Sequence, residues 1–74
     1  MKLSELNPRQ TAVITAIHEG QHSLRIMELG LVVGALVSFD SKAPMGDPIA
    51  FSVGDSKISM RKSEANMVEV EPIK

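Results

Sequence analysis

The stretch PIAFSVGDSKISM, residues 48–60, constrains the fold more than any other part of the chain. Over 48–53, Ile49, Phe51 and Val53 alternate with smaller or polar neighbours, the period of a strand with one face buried. Gly54-Asp55 is a turn signal. Beyond it, over 57–60, Ile58 and Met60 point in while Lys57, Ser59 and Arg61 point out. Three more stretches read the same way. TAVITAI (11–17) is rich in β-branched residues and lacks a helical period. ALVSFDS (35–41) sets Ala35, Val37 and Phe39 on one face and Ser38 and Asp40 on the other. VEVE (68–71) turns Val68 and Val70 inward. The count is five short strands.

Helices fill two of the gaps. Ser23 is placed to cap SLRIMEL, and Gly30 follows as the residue that ends it in left-handed geometry. Leu24, Met27 and Leu31 fall near one side, Ile26 and Leu29 near another. Two turns cannot stand alone in water, so this helix must be docked on the sheet. Arg25 near its start and Glu28 near its end oppose the helix dipole, at a few tenths of a kcal/mol each if exposed. They read as surface scatter or, more sharply, as charges that face a partner. KSEAN (62–66) suggests one further turn, with Ser63 as its cap and Glu64 in its first turn. Leu3 to Leu6 suggests another, stopped at Pro8.

A chain of 74 residues is expected to be one domain, residues 1–74. So short a domain buries only about 60–65% of the surface its unfolded chain exposes, and it needs a staple, a closed architecture or a partner. Cysteine is absent, which excludes disulfides, thiolate zinc sites and thiol catalysis. Five twisted strands bury their apolar faces best by curling on themselves. The expected fold is mainly β: a small, SH3-like, partly open barrel of five strands. A short two-turn helix lies between strands 1 and 2, and a one-turn helix precedes the last strand.

The apolar fraction, 43%, suits a folded domain and is too high for a disordered one. The net charge is −1, and no Lys/Arg cluster reaches the density of a nucleic-acid or membrane patch. No apolar run approaches the ~20 residues of a bilayer span. MKLSELNP lacks the apolar region of a signal peptide. A cytoplasmic protein without membrane insertion is expected.

HEGQH, residues 18–22, spells the H-E-x-x-H pattern of zinc peptidases, in which two histidines one helical turn apart hold the metal and the glutamate is the base. Here the pattern is out of context. Gly20 falls between the histidines, a β-branched strand precedes them, and the helix-start signal comes only at Ser23. A third histidine is missing, and so small a chain cannot wall a peptide cleft. The plainer reading of His18 and His22 is two solvent-facing loop histidines, with no metal site and no catalytic residue assigned. Other chemistry fares no better. MGDP is no phosphate-binding loop, and no base sits beside any serine in sequence. The aromatic walls of a proline-peptide groove and the rings and basic groove of a single-strand reader are missing too.

Three segments in order carry a family resemblance: RIMELGLVVG (25–34), KAPMGDPIAF (42–51) and ISMRKSEANMVEV (58–70). Together they resemble ferrous iron transport protein A (FeoA), the small cytoplasmic companion of the bacterial ferrous iron permease. The resemblance spans nearly all of residues 3–71. Val33 stands where the family often has proline, which slightly loosens the turn before Gly34. Ile26 and Met60 replace common leucines, a volume-conserving change. HEGQH lies where no family motif carries over.

The resemblance implies the same SH3-like barrel. It also implies a non-enzymatic, cofactor-free accessory that binds or regulates the cytoplasmic GTP-binding domain of the permease. The alternative it leaves open is a metal-responsive regulatory domain of the iron-repressor type. The opening methionine and the lack of DNA-binding helices favour the stand-alone form. A homodimer through strand edges is also open to such a barrel.

The expected partner surface comprises Leu29, Gly30 and Leu31 at the helix end and Ala43, Pro44, Met45, Gly46 and Asp47 in the loop. Two prolines flanking Met45 stiffen that loop and lower the entropy of ordering it on binding. Met45 is apolar and adaptable, suited to a partner's groove. In the competing view the prolines merely set a turn capped by Asp47, and Met45 folds back to plug the barrel end.

Overall fold

The computed structural model describes residues 1–73. After a 3₁₀ turn at Leu3–Glu5 come β1 (Thr11–Ile17), α1 (Ser23–Glu28), β2 (Leu36–Lys42), β3 (Ile49–Val53), β4 (Ser56–Met60), α2 (Lys62–Ala65) and β5 (Val68–Ile73). The five strands form one antiparallel sheet in the order β4-β3-β2-β1-β5. The strands expected from alternation and the two short helices are therefore present, with bounds shifted by a residue or two.

Two register shifts let so few strands enclose a core. In β1 the pairing with β5 jumps between Ile14 and Ala16, and in β2 the pairing with β3 jumps between Phe39 and Ser41. Thr15 and Asp40 are the extra residues. A bulge bends its strand and increases the local twist, so each curls the sheet toward its own inner face. Inside lie Ala12, Ile14, Val37, Ile49, Phe51, Met60, Val68 and Val70, with Leu3 and Leu6 from the opening segment. Phe39 and Phe51 meet edge to face, with ring centroids 6.3 Å apart.

The Gly54-Asp55 turn joins β3 and β4 as expected, with Gly54 at φ +59 and Val53 opposite Ser56. Glycine at the first central position of a two-residue hairpin loop supplies the positive φ that matches strand twist. Along β5, the Val70 N–H donates to the Met1 carbonyl, and Lys2 bridges to Glu69. The start of the chain thus lies along the outer edge of β5.

The helix starts differ from expectation. Ser23 is the first helical residue rather than the cap, and His22 takes the cap position without a side-chain bond. The Ser23 hydroxyl turns back instead and donates to the Gly20 carbonyl at 3.0 Å, the local alternative that serines offer a backbone. Ser63 likewise lies inside α2, whose cap position belongs to Arg61.

The end of α1 explains the largest departure. Gly30, at φ +94, donates to the Met27 carbonyl at 3.0 Å, and Leu31 donates to the Ile26 carbonyl at 3.3 Å. This pair of bonds is the Schellman motif, in which the residue after the glycine packs against the helix residue whose carbonyl it caps. Leu31 and Ile26 are both 0% exposed. Leu31, expected on the partner surface, is therefore a core residue: the turn that Gly30 permits swings it under the helix. Leu24, on the same helix, is 68% exposed. Truncating Leu31 to alanine should cost about 2–5 kcal/mol, whereas Leu24→Ala should stay within about 0.5 kcal/mol of the parent. Urea unfolding of the two variants checks the assignment.

Candidate partner-binding site

The loop between β2 and β3 is built by its own composition. The Gly46 N–H donates to the Ala43 carbonyl at 2.7 Å, and the Ala43 N–H donates to the Pro48 carbonyl at 3.1 Å. Residues 43–46 thus form a β-turn with Pro44 at its second position and Gly46 at its fourth, the places where each residue favours a type I turn. Gly46 then leaves with φ +89, and the Asp47–Pro48 peptide is cis. Met45 sits at the tip and is 93% exposed. Its side chain does not plug the barrel.

Asp47 does cap, but it caps a neighbouring element. Its Oδ1 accepts the Lys62 N–H at 2.9 Å, and its Oδ2 lies 3.9 Å from Arg61 Nη1. The Lys62 N–H is a helix-start donor with no partner inside α2, so a carboxylate there satisfies an orphan group and complements the helix dipole. The loop is thereby tied to α2.

The next link runs from α2 to α1. Glu64 is 5% exposed. Its Oε1 accepts the Arg61 N–H at 2.8 Å, and its Oε2 accepts Arg25 Nε–H at 2.6 Å. Arg25 therefore answers a carboxylate of its own chain, and is neither surface scatter nor turned to a partner. Burial alone pushes the Glu64 carboxyl up. The Arg61 N–H, the Arg25 hydrogen bond and charge, and more weakly His22 outweigh it, so the net shift is downward from the usual 4.5. Asp47, Arg61, Glu64 and Arg25 form one polar chain from the loop to the long helix. Leu29 is half-buried at the end of that helix, and Gly30 is exposed beside it.

The histidines of HEGQH do not lie on one helix. His18 closes β1 with an N–H bond to the Met67 carbonyl, and its ring lies 3.1 Å from Glu69. His22 begins α1. Among the described residues no group of three or more His, Asp or Glu side chains is arranged to hold a metal. Nor is any helix long and apolar enough to cross a membrane.

Sequence reasoning missed a set of exposed apolar side chains: Leu24, Met27, Val32, Val33 and Leu36. The available signal was that a two-turn helix offers the core only one stripe. Once Ile26 takes it, Leu24 and Met27 must face out.

A carboxyl whose folded-state pKa is lowered adds stability that is complete above its unfolded value and is lost as pH falls through the folded one. Glu64→Gln should therefore cost about 1–3 kcal/mol at neutral pH. The gap from the parent should close as pH drops below the usual 4.5. Melting temperatures of both proteins from pH 7 down to pH 3 read this directly.

With this geometry in place, comparison with known proteins is specific. A family model described as the FeoA domain matches residues 1–72. The Fe(2+) transport protein A/Fe(2+) transporter FeoB fusion protein of Porphyromonas gingivalis is 36% identical over 74 residues, which is 99% of this chain but only 9% of that protein. The NMR structure of a FeoA-like protein from Clostridium acetobutylicum superposes with a TM-score of 0.93 at 35% identity, over 100% of this chain and 87% of that one. Stenotrophomonas maltophilia FeoA, a prokaryotic SH3 domain protein solved with zinc, gives a TM-score of 0.84 at 34% identity, over 96% and 89%. The five-stranded sheet with its two short helices is SH3-like, and the chain belongs to the FeoA family.

Proposed function

We propose that this chain is a non-enzymatic accessory of bacterial ferrous iron uptake that acts on the cytoplasmic side by binding the GTP-binding domain of the iron permease. The observation that carries the choice of partner is the Porphyromonas relative, which joins transport protein A and the FeoB transporter in one polypeptide. Fusion keeps two domains at high effective concentration, an arrangement that suits partners which associate.

The loop 43–47 is the contact we assign first. Met45 offers a flexible apolar side chain on a turn already held by Pro44, the Ala43–Gly46 bond and the Asp47 tether. Little conformational entropy remains to be lost there on binding. Leu29 and Gly30 at the end of α1 make up the second part. Asp47 acts as a positioning residue for Met45, since its carboxylate is committed to α2. Leu31 contributes through the core by fixing the end of α1.

The test is a titration of the permease cytoplasmic domain with this protein, without nucleotide and with GDP or a GTP analogue. Saturable binding in at least one state is expected, and none in any state overturns the reading. Met45→Asp should weaken binding at least tenfold, a loss of about 1.4 kcal/mol. Because Met45 is so exposed, its melting temperature should stay that of the parent.

A further inference from the structure

We infer that the outer edge of β4 is a self-pairing edge, which joins two copies of this chain as antiparallel strands in one specified register. The inference is independent of the permease reading.

The two-residue turn makes Val53 and Ser56 the pair that exchanges both backbone bonds, and the alternation of an antiparallel ladder then makes Phe51–Ile58 and Ile49–Met60 bonded pairs as well. The N–H and C=O groups of Lys57 and Ser59 therefore aim away from β3. Among the described residues β4 pairs only with β3, and neither Lys57 nor Ser59 makes a backbone bond elsewhere. The opposite edge of the sheet, at β5, is bordered by the start of the chain. The β4 edge has no such cover.

An edge of this kind is usually guarded by a lysine that repels an incoming strand. Lys57 stands in that place, but its Nζ lies 3.6 Å from Asp40 Oδ1, two strands away in the same sheet. The guard leans back over its own sheet in a loose surface pair and keeps its charge.

Charge also selects the register. Asp55 in the turn, Lys57 and Ser59 in β4, and Arg61 just past the strand are all exposed along this edge. Centring the pairing on Lys57 would set Lys57 against Lys57 of the second copy. Centring it on Ser59 would set Lys57 against Arg61. Both put like charges directly opposite, which destabilises a pair of strands. Centring it on Ile58 sets Lys57 against Ser59, lays the two half-buried Ile58 side chains together, and places Asp55 against Arg61 at both ends. All outward backbone groups of Lys57 and Ser59 are then bonded, and both end pairs are of opposite sign. A single short edge makes a small interface, so the association is weak, with a Kd of about 0.1–1 mM.

The test is sedimentation equilibrium over a concentration series spanning that range. The parent should move from monomer toward dimer, and added salt should reduce the shift. Ser59→Pro should stay monomeric with a nearly unchanged melting temperature, because the lost N–H serves no bond within the barrel. Asp55→Lys and Arg61→Glu should each stay monomeric alone, and an equimolar mixture of the two should recover the dimer. A loss of folding cannot produce that recovery. A parent that remains monomeric, self-association that survives Ser59→Pro, or a mixture that fails to associate overturns the inference. So does an edge that accepts a strand of the permease domain but never a second copy.

Discussion

The carboxylate of Glu64 is the interaction on which the helical part of this protein depends. α1 has six residues and buries only Ile26 among them, and α2 has four. Neither could persist on its own hydrogen bonds. Glu64 lies between them, takes the Arg61 N–H on one oxygen and the Arg25 guanidinium on the other, and so is fully answered despite its burial. With a partner on each oxygen, Glu64 has few alternative arrangements that leave no charge bare, which restrains how α1 and α2 sit against each other. The opening segment adds a second polar tie, from the Ser4 hydroxyl to the Asn66 side chain just past α2. α2 is thereby held on three sides by α1, the 43–48 loop and the opening turn.

The strands were legible because their signal is local. Ile49, Phe51 and Val53 alternate whatever the rest of the chain does, and Gly54-Asp55 marks the reversal without reference to any distant residue. Gly30 was legible for the same reason, since few residues other than glycine hold φ near +94 at a helix end. What escaped depended on how segments are arranged in three dimensions. Arg25 looked unfavourable against its own helix dipole because Glu64, 39 residues away, was out of view. Leu31 looked like surface because a Schellman turn decides which way the next residue points, and that direction is set in three dimensions. The bulges at Thr15 and Asp40 leave no mark in composition, so the alternation in β1 and β2 suggested straighter strands than the barrel contains.

For the candidate site the same division holds. The stiffness of the 43–48 loop follows from Pro44 and Pro48 in the sequence, and Gly46 permits its turn. Its anchorage does not, because Asp47 reaches across to the first N–H of α2. The five letters HEGQH illustrate the converse, a local pattern without its structural support. Zinc peptidase chemistry needs the two histidines a helical turn apart on one face. Here the first follows a strand beside Glu69 and the second is the cap residue before a helix, so the two do not share a helix face.

Arg61 links the loop to the strand edge. It follows β4 directly, gives its N–H to Glu64, and holds its guanidinium 3.9 Å from Asp47. Pairing at the β4 edge would engage that guanidinium with Asp55 of a second copy, in competition with Asp47. The competition is unequal. At 3.9 Å the Arg61–Asp47 contact is a loose surface pair of small worth, whereas the Lys62 N–H to Asp47 bond at 2.9 Å is a charge-assisted hydrogen bond. Drawing Arg61 away therefore costs the loop its weaker tether and leaves the stronger one. Met45 stays exposed whether or not the edge is occupied, so the contact we propose at Met45 and the pairing we infer at β4 are separable. The coupling between them is limited to the share of Asp47 that Arg61 holds.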